Sequence, residues 1–214
     1  SIDFERMNER IASIRSSAVM IGVSSPAVSM LARYFTGMRN ERTSGMTPSC
    51  SIAPIDAADF RTAMARFPGA VTIVTALSGT ERRGITATAV CSVTADPPSL
   101  LVCLNRKTGT CAMVRETGRF NVSLLAGEAQ AIALRFAGAD GATGEGKFSE
   151  GRWHEDGHGL PVLADAVANF SCEVAEMTDA GSHTVFIGHI AEIDLGEGPA
   201  LVYEQSRFHR LQAL

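Results

Sequence analysis

Three β-patterned runs follow one another between Val71 and Leu104, separated only by turn signals. Val71–Ala76 alternates Val71, Ile73 and Thr75 against Thr72 and Val74, and Ser78-Gly79-Thr80 then turns the chain. Ile85–Val93 reads as the next strand, Asp96-Pro97-Pro98 breaks it, and Leu100–Leu104 is a short continuous apolar run suited to burial on both faces. No helix fits between these runs. A doubly wound parallel sheet needs regular strand–helix alternation, so the spacing argues against it. It predicts a mainly β fold, a barrel of antiparallel strands with flanking helices.

The rest of the chain agrees. Asp56 is a candidate N-cap, and Phe60, Ala63, Met64 and Phe67 recur at helical spacing until Pro68-Gly69. A short helix is predicted over Thr110–Glu116, with Gly118 just past its end. Phe120, Val122 and Leu124 alternate as a strand, and Ala129, Ile132, Ala133 and Phe136 form another helical face. Gly138–Gly151 is glycine-rich and reads as a mobile segment, either a functional lid or plain disorder. Strands are predicted around Ala168–Val174, His183–Ile193 and Ala200–Tyr203.

Residues 1–54 differ: they are rich in Ser, Arg and Met and poor in strand signals. Phe4–Ile14 could form a polar helix and Ala27–Phe35 a short apolar one, with Gly45–Ser49 as linker. The expectation is a flexible N-terminal extension over 1–54, or an upstream start with Met46 as the alternative, followed by one domain over 55–214. No apolar run is long enough for a membrane span. The net charge of −4 and few aromatics argue against nucleic acid. Of five cysteines, Cys91, Cys103 and Cys172 sit in apolar runs and read as buried free thiols, which suits a reducing, cytoplasmic setting.

Two segments carry candidate chemistry. Along Gly84–Val93, alternation puts Ile85, Ala87, Ala89, Cys91 and Val93 on one face and Thr86, Thr88 and Ser92 on the other. That row of hydroxyls can bond ring carbonyls, ring nitrogens and phosphate oxygens, although Thr also simply suits a strand facing water. Asn105-Arg106-Lys107-Thr108-Gly109-Thr110 follows a buried strand and opens a helix, placing free amides, two cations and two hydroxyls where an anion can bind. A plain turn with Thr110 as N-cap is the simpler reading. The loop fits neither the Walker nor the dinucleotide glycine pattern. His183 and His189 share a strand face but lie about 20 Å apart, too far for one metal. His154-Glu155-Asp156-Gly157-His158 lacks the helix that a metal pair needs, so no metal site is expected. No hydrolytic triad, paired carboxylate or catalytic cysteine pattern stands out, which suits a reaction whose chemistry a cofactor carries.

Taken together, Phe60–Thr75, the strand-break-strand-loop of Gly84–Thr110, Gly118–Leu125, Gly181–Gly188 and Arg207–Leu211 resemble the short-chain flavin reductase family over most of Phe60–Leu211. Cys91–Thr94 and Leu101–Arg106 look like the branch associated with pyrimidine catabolism. The resemblance implies a split β-barrel homodimer that binds FMN near the subunit interface. It implies that Gly84, Ile85, Thr86, Thr88, Ala89, Ser92, Cys103 and Leu104 line the flavin, while Asn105, Lys107, Thr108 and Thr110 hold the ribityl chain and phosphate. Gly181-Ser182-His183 aligns with the family's Gly-Asp-His motif, whose histidine lies beside flavin and nicotinamide; here Ser182 stands in place of the aspartate. The implied activity is hydride transfer from NADH, or NADPH, to FMN, with reduced flavin diffusing to a partner monooxygenase. A corrin reductase on the same scaffold and a flavin-binding module without turnover are the alternatives.

Overall fold

The computed structural model describes residues 55–212; the expected extension over 1–54, with its two helices and linker, lies outside them. Helix α1 (Ala57–Met64) starts where the sequence places it, with the Asp56 carboxylate accepting from the Ala58 amide. Its apolar residues are not buried, however: Phe60 is 59% exposed and Met64 45%.

Among the described residues, twelve strands follow in chain order, with two further helices. These are β1 (Gly69–Ala70), β2 (Thr72–Ser78), β3 (Glu81–Ala87), β4 (Val90–Ala95), β5 (Pro98–Asn105), α2 (Gly109–Thr117), β6 (Arg119–Leu124), α3 (Gln130–Phe136), a 3-10 turn (Gly144–Ser149), β7 (Trp153–Glu155), β8 (Pro161–Leu163), β9 (Ala168–Ala180), β10 (His183–Leu195), β11 (Leu201–Glu204) and β12 (Arg207–Arg210). Strand β12 was not foreseen as a strand: Arg207–Arg210 lacks apolar alternation and is held by pairing with β11, Leu201 opposite Arg210.

The main sheet has the order β3-β2-β6-β9-β10-β5-β4, and its neighbouring strands are antiparallel. Its two edges, β3 and β4, are consecutive in sequence with only Thr88 and Ala89 between them. The sheet must therefore coil until its edges meet at that corner. No ladder joins them, so hydrogen bonds do not close the sheet into the expected barrel. This also corrects the single strand expected over Ile85–Val93. The chain leaves its β2 partner after Ala87, which pairs with Thr72, and takes up β5 at Val90, opposite Val102.

Helix α2 is wrapped by the coiled sheet and gives Cys111, Met113 and Val114 to a first core with Val74, Val102, Leu104, Phe120 and Phe186. A second core joins Val71, Ile73, Leu125, Phe136, Phe148 and Leu163. Strand β2 divides the two: Val74 and Ala76 enter the first, Ile73 the second. Its alternation is real, but each face meets its own core, so Thr72 through Ala76 and even Thr75 are buried. The glycine-rich segment expected to be mobile, as a lid or through disorder, is anchored there by Phe148, which packs edge-on against Phe136 at 5.1 Å and Trp153 at 5.0 Å.

Edge strand β4 has one neighbour and is the least covered part of the sheet. Cys91 and Val93, expected in the core, are exposed; only Val90 packs inward. Of the three cysteines expected to be buried, Cys172 is, Cys103 is half-buried, and Cys91 is exposed. Burial pushes the Cys172 thiol up to about 12.

Candidate functional site

Strand β3 is a wall between two clefts. Its alternation sends Gly84 and Thr86 toward α3 and Ile85 and Ala87 toward the first core. A Cβ on Gly84 would lie 2.4 Å from the Phe136 ring, so only glycine lets the strand approach the aromatic cluster this closely. The Thr86 hydroxyl donates to the Ala133 carbonyl at 2.6 Å, which ties α3 to the strand.

The smaller cleft, about 330 Å³, lies where β3 meets the start of α2. It gathers Gly84, Ile85, Thr108 and Thr110 of the expected flavin residues, facing Gly138, Gly141 and Gly144. Thr108, not Thr110, caps α2: its hydroxyl accepts from the Cys111 amide at 3.2 Å and donates to the Asn105 carbonyl at 2.7 Å. Thr110 sits buried in the first turn. The Asn105 side chain accepts from the Lys107 amide at 3.0 Å and so shapes the loop that leads to the cap. The cations on this cleft are Arg83 and Lys147; Lys107 is exposed and does not line it.

The larger cleft, about 660 Å³, lies on the other side of β3, between α3 and the β11–β12 hairpin. Thr86 and Thr88 line it with Gln130, Leu134, Tyr203 and Arg207. The hydroxyl stripe therefore does not form one continuous row with the anion loop. Ser92, beyond the corner, lines neither cleft, because the change of partner at Thr88–Ala89 swings it away. Ala89 accepts from the Cys103 amide at 3.0 Å and stitches the corner to β5. Leu104 is part of the first core, and burial followed by the neighbouring Cys91 raises the Cys103 thiol.

His183 stands on the β9–β10 hairpin in register with Asn105. Gly181 forms the turn with φ of +58°. The hairpin is fastened to the β5–α2 loop: the Arg106 amide donates to the Ser182 carbonyl at 3.0 Å, and its guanidinium lies 3.6 Å from Asp179. This is the use of the second loop cation. Asp179 also accepts from the buried Thr184 hydroxyl at 2.7 Å and pairs with Arg115. The Thr184 hydroxyl, then Arg115, hold its carboxyl below the usual range. The Ser182 hydroxyl lies 2.9 Å from His183 Nδ1, giving the imidazole a local partner where the family motif carries an aspartate.

The structure thus brings Asn105, Thr108, Thr110, Gly84 and the His183 hairpin to one end of the sheet, and it adds two cations that the sequence reading missed. Arg83 was legible, since it alternates with Ile85. Lys147 carried no periodic signal, and only the apolar Phe148 beside it hinted that its segment is anchored.

Known proteins share this architecture. The model of the flavin reductase like domain matches residues 64–212. The chain is 42% identical over 154 residues to the 4-hydroxyphenylacetate 3-monooxygenase reductase component of Pseudomonas aeruginosa, covering 72% of this chain and 91% of that protein. It is 40% identical over 167 residues to the FMN reductase (NADH) RutF of Variovorax paradoxus, covering 78% and 92%. The solved structure of flavin reductase PheA2 in its native state superposes with a TM-score of 0.69 at 30% identity, covering 74% of this chain and all of that one. With the family model matching residues 64–212 and relatives about 40% identical over most of their length, the chain belongs to the flavin reductase like domain family.

Proposed function

We propose that this chain is an NADH-dependent FMN reductase that supplies reduced flavin to a partner monooxygenase. The observation that carries the placement is the smaller cleft: a capped helix start, two threonines and two cations from other elements meet over a glycine-lined wall. FMN's phosphate and ribityl chain belong there. Its ring belongs over the corner at Thr88 and Ala89, toward Cys103 and Asn105, where the His183 hairpin can receive a nicotinamide. Bound flavin supplies the hydride-accepting ring. The chain supplies position: Thr108, Thr110 and the cleft cations fix the phosphate end, and His183, partnered by Ser182, contacts the nicotinamide.

The family match, which starts at residue 64, supports residues 55–214 as the catalytic domain and 1–54 as an extension. The exposed Phe60 and Met64 of α1, with Phe67 just beyond it, support a homodimer in which the second copy covers them. Among the described residues no helix is long and apolar enough to cross a membrane, which fits the cytoplasmic setting proposed here. The test is NADH oxidation by purified protein with and without FMN, followed by loss of NADH absorbance. FMN-dependent turnover is expected. Flavin binding without NADH consumption would make the chain a carrier instead.

A further inference from the structure

We propose that Lys147, assisted by Arg83, is the residue by which this cleft selects a phosphorylated flavin over riboflavin. The inference rests on the flavin reading above and concerns which side chains recognise the phosphate.

Lys147 comes from the 3-10 turn, far in sequence from the expected loop, yet its ammonium lines the cleft. It donates to the Phe136 carbonyl at 2.8 Å and to the Gly84 carbonyl at 3.3 Å. An ammonium has three donors, so one remains for a ligand. Among the described residues it has no carboxylate partner within salt-bridge range. Asp140, the acid whose field it feels, is itself held by Arg135 at 2.9 Å. Burial lowers the Lys147 pKa, the mark of a cation kept partly out of water. Such a charge is costly unless an anion joins it.

Arg83 reaches the same cleft by passing between two glycines. A Cβ on Gly109 would sit 3.7 Å from its Cδ and Nε, and one on Gly144 would sit 2.7 Å from its Nη1. One nitrogen of its guanidinium pairs with Glu81, outside the cleft, and Nη1 lies over Gly144. The residues that line the cleft include two cations and no acid. A phosphate monoester, with a charge of about −1.5 to −2 near neutral pH, matches that pair; riboflavin offers nothing to it.

The test measures dissociation constants for FMN and riboflavin by quenching of flavin fluorescence in wild type, Lys147→Met, Lys147→Arg, Arg83→Met and Lys107→Met. Lys147→Met should weaken FMN by about 10- to 100-fold and riboflavin by less than about 3-fold, the loss expected of one charged hydrogen bond. Lys147→Arg should recover most FMN affinity, Arg83→Met should lose FMN selectively, and Lys107→Met should change neither ligand. Equal losses for both flavins, no loss, or a larger FMN loss in Lys107→Met would overturn the assignment. Wild-type protein that binds neither flavin would instead sink the reductase reading. If Lys147→Met fails to fold, judged by Trp153 fluorescence, the Arg83→Met and Lys147→Arg arms decide: a loss in Arg83→Met shared equally by riboflavin overturns the proposal.

Discussion

Gly84→Ala isolates the closest approach in the molecule between the strand that divides the two clefts and the core beside it. The added methyl would meet the Phe136 ring at 2.4 and 2.8 Å and Phe148 at 3.5 Å. Phe136 is fully buried and boxed in by Phe148 at 5.1 Å and Trp153 at 5.2 Å, so the ring cannot swing into open space. Overpacking of this kind costs about 1–3 kcal/mol. Alanine also restricts the unfolded chain, which returns about 0.4–1 kcal/mol. The net expectation is a loss of roughly 0.5–2.5 kcal/mol, or a few degrees in melting temperature. Trp153 is the chain's one tryptophan and packs on both phenylalanines, so its fluorescence during urea unfolding reads the affected cluster directly. Gly109→Ala is the control, since its methyl would meet only Arg83 at an ordinary 3.7 Å; its midpoint should not fall. Phe136→Leu combined with Gly84→Ala should cost less than the sum of the two single changes, because the smaller side chain makes room. Gly84→Ala with an unchanged urea midpoint, or strict additivity in the double variant, would refute the packing argument and leave Gly84 to be explained by ligand contact alone.

Three further outcomes follow from other parts of the molecule. Asp179→Asn should destabilise the histidine hairpin near neutral pH, and the gap to wild type should close on acidification. The Asp179 carboxyl is held below its ordinary value, so its stabilisation is complete above about pH 4 and is lost as pH falls through the lower folded value; a gap that widened in acid would contradict this. Among the described cysteines, Cys91 should react first with a thiol reagent in the native state, while Cys111 and Cys172 should react only on unfolding, as mass mapping of the labelled peptides would show. Deleting residues 1–45 should leave the urea midpoint and FMN affinity unchanged, because both clefts and both cores lie within 55–212; insolubility or loss of flavin would give the extension a structural role.

What the sequence disclosed was mostly local. Asp56 capping α1, Gly118 ending α2 in the left-handed conformation, and the strand periods near Val71 and Phe120 are set by neighbours within a few positions, and the structure keeps each. What it hid depends on pairing partners far along the chain. Nothing at Thr88–Ala89 announces that β3 and β4 belong to opposite edges of one sheet, because that follows from β5 pairing with β10 and from β2 pairing with β6. The error at that corner carried forward: an unbroken strand put Ser92 beside Thr88 and Cys91 in the core, and both placements fail once the partner changes. Apolar residues on α1 likewise gave a correct helix, but periodicity does not say what will cover them.

The candidate site shows the same division more sharply. The loop Asn105–Thr110 was legible because capping and anion binding use the same local chemistry, hydroxyls and free amides at a helix start. Charge did not follow that logic. Of the loop's two cations, Arg106 is spent on the hairpin and Lys107 faces water, while the cleft is served by Arg83 across the sheet edge and Lys147 from a segment without period. Here the capped loop is built from consecutive residues, while the cations that line the cleft beside it come from two other segments. Arg83 also shows why β3 sits at the centre of the arrangement. Arg83, Gly84 and Ile85 line the smaller cleft, Thr86 and Ala87 line the larger one, and Gly84 also meets the second core at Phe136. A change at Arg83 or Ile85 therefore acts on the smaller cleft. A change at Gly84 meets that cleft directly, because Gly84 lines it, and also through the aromatic cluster and the Lys147 bond to its carbonyl. Effects on stability and on the smaller cleft should therefore be coupled at Gly84 and separable at Arg83, whose side chain enters neither core.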